Sequence, residues 1–491
     1  MTPRRQDFFS SRKMLFLGLA FHLFLLLSPS AARIGYFWHI TDIHYDVHYS
    51  VSGDIRKSCR RTENKLGGAV GNSRPAGRFG DHNCDSPWDL VESAAKAMKS
   101  KHGDNIEFVL WTGDGVAHSP GVSGDHQLER LKNLTHLLRH TFSSQFVFPV
   151  LGHDDPNPGL HFGQGYRDVA NYWRPWLPTE AIQTFNKGGY YTIERKLQKL
   201  RLVMLNTNLC SDIVGNEEDP AGQWAWLEET LQKSQRNRET VYLVGHMPPG
   251  VDERQNGGIS PYHEVFQARF NQRYLRLVRK YSDIIVGQFF GHLHSDSFRI
   301  VYSDTGRPVS WIFLTPAVSP KKTPSGANNP GLRLYKFDTD SGQVLDYRQY
   351  YLDLDAANRQ NVAEWQPEYN FTDHYGLNEV SAHELHNLVE SFAVQEGATL
   401  FSRYYRANSV RFHHNTEGCD ASCAHTHYCA ITRLDYQEFR SCLETAASAL
   451  ASAGVIALCI PWSLLVLLLM PLLHALVQSV LMPSFGGLHY S

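Results

Sequence analysis

No block of like charge interrupts this chain, and no long run of Lys or Arg is present. Its 491 residues carry a formal net charge of −2, so nothing electrostatic points to nucleic acid as a partner. Internal repeats and low-complexity linkers are absent between the two ends. So is a Gly-x-Ser-x-Gly strand–turn–helix elbow, which removes the usual signature of a serine hydrolase. What is present suffices for a globular enzyme: 42 % hydrophobic and 12 % aromatic residues supply a core and argue against disorder.

Both ends are apolar. Arg4, Arg5, Arg12 and Lys13 precede the apolar run Met14 to Leu27, and Ser30-Ala31-Ala32 follows it. That order predicts a signal peptide over 1–32, an uncleaved anchor being the alternative. Gly454 to Val480 is long enough to cross a bilayer, but Pro461, Pro471 and His474 interrupt it. No Lys or Arg follows Arg440, so the basic flank that commonly stops transfer is missing. Ala446-Ala447-Ser448, a spacer and the apolar run, with Leu481 to Ser491 trailing, predict over 446–491 a glycosylphosphatidylinositol (GPI) signal in preference to a transmembrane helix. Either anchor places the protein outside the cell, on the membrane surface.

A secreted chain tends to pair its cysteines. Cys59 and Cys84 are expected partners. Cys419, Cys423, Cys429 and Cys442 suggest two short bridges out of three possible pairings. Because His413, His414, His425 and His427 lie among them, a zinc knuckle is the competing expectation. Cys210 and Cys459 have no evident partner. Sequons at Asn133 and Asn370 fit a glycosylated surface.

The body alternates β-rich runs with amphipathic segments. It reads as a catalytic domain over 33–380 followed by a small helical, disulfide-bonded cap over 381–445, where Leu385, Leu388, Val389 and Phe392 share a face. Five apolar runs each lead into a turn rich in Asp, His or Gly. Phe37-Trp38-His39-Ile40 precedes Asp42 and His44, and Phe108 to Trp111 precedes Asp114. Phe146 to Leu151 precedes Gly152-His153-Asp154-Asp155, Val241 to Val244 precedes His246, and Ile284 to Phe290 precedes His292 and His294. Ligands of α/β sheets bind at the carboxyl ends of strands, so the five turns are expected to share one crevice. Asp42/His44 and His292/His294 are i,i+2 pairs, which return to one side in extended chain. Seven candidate ligands exceed one tetrahedral ion and suit two that share a carboxylate, with Asp114 the natural bridge. Imidazole mixed with carboxylate favours Zn²⁺, Fe and Mn being less excluded.

The ordered motifs DxH, GD, a GNH-like turn, GH and GHxH resemble the calcineurin-like metallophosphoesterase superfamily. Cys84-Asp85-Ser86-Pro87-Trp88, Trp173-Arg174-Pro175-Trp176-Leu177 and Gly287-Gln288-Phe289-Phe290-Gly291-His292 bring it close to the acid sphingomyelinase-like phosphodiesterases. The resemblance implies an α/β fold of four layers, with two central mixed β-sheets flanked by helices. It implies two zinc ions: one held by Asp42, His44, Asp114 and His294, the other by Asp114, the GNH position, His246 and His292. It also implies in-line attack on phosphorus by a hydroxide bridging the metals, with His118 near the phosphate.

One turn departs from the pattern. Where the family has GNH[DE], this chain has Gly152-His153-Asp154-Asp155. Aligned without a gap, His153 replaces the ligand Asn and Asp154 replaces the His that acts as general acid. In the alternative register His153 remains the acid and the second metal loses a ligand. An Asp beside two cations favours its ionised form and makes a poor proton donor. The expectation is therefore an extracellular phosphodiesterase with reduced turnover, acting on nucleotides or phosphocholine-type lipids. The competing expectation is a catalytically weak surface protein that binds lipid or receptor partners. A monomer is expected, with specificity set by loops such as Lys187 to Tyr191 and Gly250 to Tyr262.

Overall fold

A computed structural model describes residues 33–61, 74–103, 105–117, 124–156, 164–254, 264–323, 326–392, 398–413 and 419–445. The expected signal peptide, the hydrophobic tail, Cys459 and His118 lie outside them. Among the described residues no helix is long and apolar enough to cross a membrane.

The strands, in chain order, are β1 (Ile34–Ile40), β2 (Tyr49–Asp54), β3 (Phe108–Trp111), β4 (Phe146–Pro149), β5 (Tyr191–Arg195), β6 (Leu200–Met204) and β7 (Thr240–Val244). They continue as β8 (Ile285–Phe290), β9 (Ser297–Tyr302), β10 (Pro308–Leu314), β11 (Gly331–Asp338), β12 (Val344–Leu352) and β13 (Trp365–Asn370). Two six-stranded sheets result, in the orders β13-β12-β11-β1-β3-β4 and β5-β6-β7-β8-β10-β9. Both are mixed. β1, β3 and β4 run parallel, as do β6, β7, β8 and β10, while the remaining partners are antiparallel.

Strand alternation explains the layering. In sheet two, Leu202, Met204, Tyr242, Val244 and Phe289 face the first sheet. Their neighbours Val203, Val241, Leu243 and Phe290 face a second core under helices Gln223–Asn237 and Ala268–Lys280. A residue's position along the strand thus selects its layer. Between the sheets, Phe37 of β1 meets Phe289 edge-on at 5.5 Å and Tyr242 at 5.9 Å. This aromatic layer lies on the strands that feed the turns described below.

The C-terminal helices Ala382–Phe392, Ala398–Asn408 and Ala421–Thr432 bury Leu385, Leu388, Val389, Phe401 and Tyr404 in the main core. Disulfides join Cys59 to Cys84, Cys419 to Cys423 and Cys429 to Cys442, so the C-terminal cysteines pair rather than form a zinc knuckle. Cys210 is buried and free. Asn133 is exposed on helix Gly124–Thr141, whereas Asn370 is half-buried and accepts a hydrogen bond from Arg348 Nε at 2.7 Å. Lys187 to Tyr191 is not a specificity loop. Helix Thr179–Gly188 ends at Gly189 (φ +74°), β5 begins two residues later, and Tyr190 and Tyr191 are buried.

Candidate metal centre

The five turns converge. β1, β3 and β4 are neighbours in one sheet and β7 and β8 in the other, and each releases its turn at the same end of the sandwich. Asp42, His44 and His294 form one group. His44 Nε2 lies 3.1 Å from His294 Nε2 and 3.8 Å from Asp42 Oδ1, which is 3.5 Å from His294 Nε2. Asp114, His153, His246 and His292 form the second. Asp114 Oδ2 lies 2.8 Å from His153 Nδ1 and 3.1 Å from His246 Nε2, and the His292 ring stands about 5 Å from both imidazoles. Within each group the ligand atoms all lie within 4.8 Å of one another. The same Asp114 oxygen is 3.6 Å from His44 Nε2, so Asp114 stands between the groups.

The i,i+2 spacing works for a different reason from the one expected. Asp42, His44, Asp114, His292 and His294 all have positive φ, between 45° and 69°, so the pairs sit in left-handed turns, not in extended chain. Such backbone is costly for non-glycine residues and persists only where its surroundings impose it. Here they do. Asp42 N donates to Gly113 O and His44 N to Asp114 O. The turns are also packed without slack: a Cβ on Gly152 would lie 2.0 Å from Asp114 Oδ1, and one on Gly291 2.0 Å from Thr41 Oγ1.

The donor atoms fit cations. Asp42 Oδ2 accepts from Thr41 Oγ1 and His292 N, and Asp114 Oδ1 accepts from Asp154 N. The other oxygen of each carboxylate is buried and makes no hydrogen bond. One oxygen anchors each residue and the second is aimed into the centre, an arrangement that costs stability unless a cation meets it. His246 Nδ1 donates to Thr112 O at 2.7 Å, which leaves the Nε2 lone pair facing Asp114. Burial disfavours the anions of Asp42 and Asp114. His294 beside Asp42, and His246 and His153 beside Asp114, outweigh it and hold both carboxyls well below the usual range. Burial likewise opposes the cations of His44 and His246, yet the facing carboxylates raise them to about 10 and about 9. A bound cation would take the place of the protons that these carboxylates favour on the facing imidazoles.

The altered turn takes its place in this cluster. His153 stands among the second group's ligand atoms, 3.2 Å from His246 Nε2 and partly open to the cleft. Asp154 faces His44 instead, with Oδ2 3.5 Å from Nδ1. Asp155, unassigned from the sequence, clamps the turn: its carboxylate accepts from Gly115 N, Val116 N and Gly152 N. The only signal for that role is its place at the end of the Gly-His-Asp-Asp motif. His118 is outside the described residues, as are 255–262 of the expected Gly250–Tyr262 loop. The centre opens into a cleft of about 590 Å³, with Asp85, Asp252, Met247, Lys321 and Lys322 on its walls.

Residues 35–296 match the calcineurin-like phosphoesterase family, and 307–449 match the acid sphingomyelin phosphodiesterase C-terminal region. A human acid sphingomyelinase-like phosphodiesterase 3b is 37 % identical over 436 residues, covering 84 % of this chain and 90 % of the relative. A human cyclic GMP-AMP phosphodiesterase is 36 % identical, covering 86 % and 93 %. A sphingomyelinase phosphodiesterase C of Dictyostelium discoideum is 33 % identical, covering 87 % and 96 %. The chain belongs to the calcineurin-like phosphoesterases and, within them, to the acid sphingomyelinase-like phosphodiesterases, and it is a phosphoric diester hydrolase.

Proposed function

We propose that the protein hydrolyses phosphodiester or pyrophosphate bonds of nucleotides or phosphocholine-type lipids outside the cell, with two zinc ions at the convergent turns. The observation that carries this reading is the pair of ligand groups meeting at Asp114 beside an open cleft. Asp42, His44, Asp114 and His294 would hold one ion, and Asp114, His153, His246 and His292 the other. Two bound ions would supply Lewis acidity to the phosphoryl oxygens and an acidified water as nucleophile. The chain's own residues orient that chemistry. Thr41 and Asp154 N fix the carboxylates, Thr112 fixes the His246 tautomer, and Asp155 holds the altered turn. The names of the relatives support the substrate classes: cyclic GMP-AMP for one, sphingomyelin for another. Three disulfides and an exposed Asn133 support a glycosylated extracellular chain tethered through its tail.

The same turn supports reduced turnover. Neither His153, placed among the ligands, nor Asp154, facing His44, stands as a free proton donor to a leaving alkoxide. It is also what favours the second reading, a surface protein of weak activity that binds lipid or receptor partners. Zinc content and hydrolysis of p-nitrophenyl, nucleotide and phosphocholine esters, with and without chelator, separate the two. Two ions and chelator-sensitive hydrolysis support the enzyme. Two ions with no turnover at any pH sink it. Reverting His153→Asn with Asp154→His should raise rates on alkyl esters by ~10²-fold or more, because general acid catalysis contributes about that much. Unchanged rates would defeat the account of the turn.

A further inference from the structure

We infer that Asp154 is a positioning residue for the metal ligand His44. This inference rests on the proposed metal centre and goes beyond it, because it gives the substituted side chain a job. His44 presents Nε2 to Asp42, Asp114 and His294, with the three distances given above. Its Nδ1 lies on the far side of the ring, is buried, and has no hydrogen-bond partner of ordinary geometry. The nearest charged atom is Asp154 Oδ2 at 3.5 Å, on a side chain only 9 % exposed.

Residue 154 cannot drift from there, since its own N–H is bonded to Asp114 Oδ1 at 2.8 Å. One short segment therefore anchors the central carboxylate through its backbone and faces the His44 ring with its side chain. His246 receives equivalent support from the Thr112 carbonyl. For His44, among the described residues, the group placed to take that part is the Asp154 carboxylate. A carboxylate behind a ligating imidazole fixes the tautomer, so that the proton sits on Nδ1 and the lone pair on Nε2, and it makes Nε2 a stronger donor. A histidine at 154 would bring no anion. The exchange gives up a proton donor and gains a firmer ligand.

The test compares Asp154→Ala and Asp154→Asn with the wild-type full chain, by chelator competition for zinc and by the visible spectrum after cobalt substitution. Asp154→Ala should weaken one of the two ions by ~10–100-fold, the usual cost of losing such a partner, and alter the cobalt bands. Asp154→Asn, nearly isosteric and still an acceptor, should fall between. The ratio of alkyl to p-nitrophenyl ester rates should not change. Wild-type affinity and spectrum in both variants would overturn the inference. So would a loss confined to alkyl esters, which would make Asp154 the proton donor. A wild-type chain that binds two ions but hydrolyses nothing would defeat the hydrolase reading alone, and the affinity comparison would still decide the role of Asp154.

Discussion

Two clusters of buried charge lie a few residues apart, on either side of the His294 turn, and they are built on opposite terms. In the metal centre, one oxygen each of Asp42 and Asp114 is buried without a hydrogen bond and faces imidazole nitrogens. Behind it, the oxygens of Glu253 and Asp296 are answered by protein. Glu253 accepts from Arg299, Ser295 and Asn408, and Asp296 is met by Arg333, Tyr347 and Tyr369. The Arg333 guanidinium also stacks over Tyr347 at 4.0 Å. The second cluster pairs its carboxylates with its own arginines, hydroxyls and amides, and ties the C-terminal helices, through Asn408, to the loop that carries His292 and His294. The first is complete only with something added. Buried charge alone therefore does not mark a functional site; unanswered atoms that converge do.

Four experiments press on that contrast. The largest effect is expected from Asp114→Asn, which should lower phosphodiester hydrolysis by ~10³-fold or more, since metal-borne charge stabilisation is worth several kcal/mol. Its far-UV circular dichroism should match wild type, and an unfolded variant would erase the distinction between the clusters. Next is Glu253→Ala, which strands Arg299 and should cost about 3–5 kcal/mol in a denaturant titration. Metal per folded chain should hold; if it falls with stability, the clusters are one unit. Third, stripping bound metal with chelator should lower the thermal midpoint by the equivalent of about 3 kcal/mol when free ion had stood near 100 times Kd. Glu253→Ala should show the same drop.

The smallest effect concerns acid. Burial holds the His427 imidazole down at about 4, with Glu253 opposing and Arg254 and Arg299 adding to the shift. Between that value and the ordinary 6.5, the unfolded chain binds the extra proton, so stability is full above about pH 6.5 and declines as pH falls toward 4. Between pH 7 and pH 5 the loss should be about 2 kcal/mol. It should shrink in His427→Gln, measured by unfolding at both pH values.

The site was more legible than its support. Asp42, His44, Asp114, His246, His292 and His294 could be read because each follows an apolar run, and the strand ends then bring them together. The left-handed backbone at five of the ligands could not be read, since it comes from contacts such as Asp42 N with Gly113 O across the centre. Asp155 hid beside two more conspicuous neighbours. Glu253, Arg299 and Arg333 look like any surface charges in a linear chain; only tertiary packing buries them together. Pairing of the C-terminal cysteines was open among three choices and is decided by helix Ala421–Thr432, which carries Cys423 and Cys429 to different partners.

The tight fit of Gly152 against Asp114 has a practical meaning for anyone wishing to redesign this enzyme. With no room for even a methyl group there, and with Asp155 gripping three backbone amides, the turn is a rigid socket whose two middle side chains can be exchanged like fittings. Residues 153 and 154 can be varied as a library while the main chain stays in register. Proton delivery and metal retention can then be tuned against each other without refolding the scaffold.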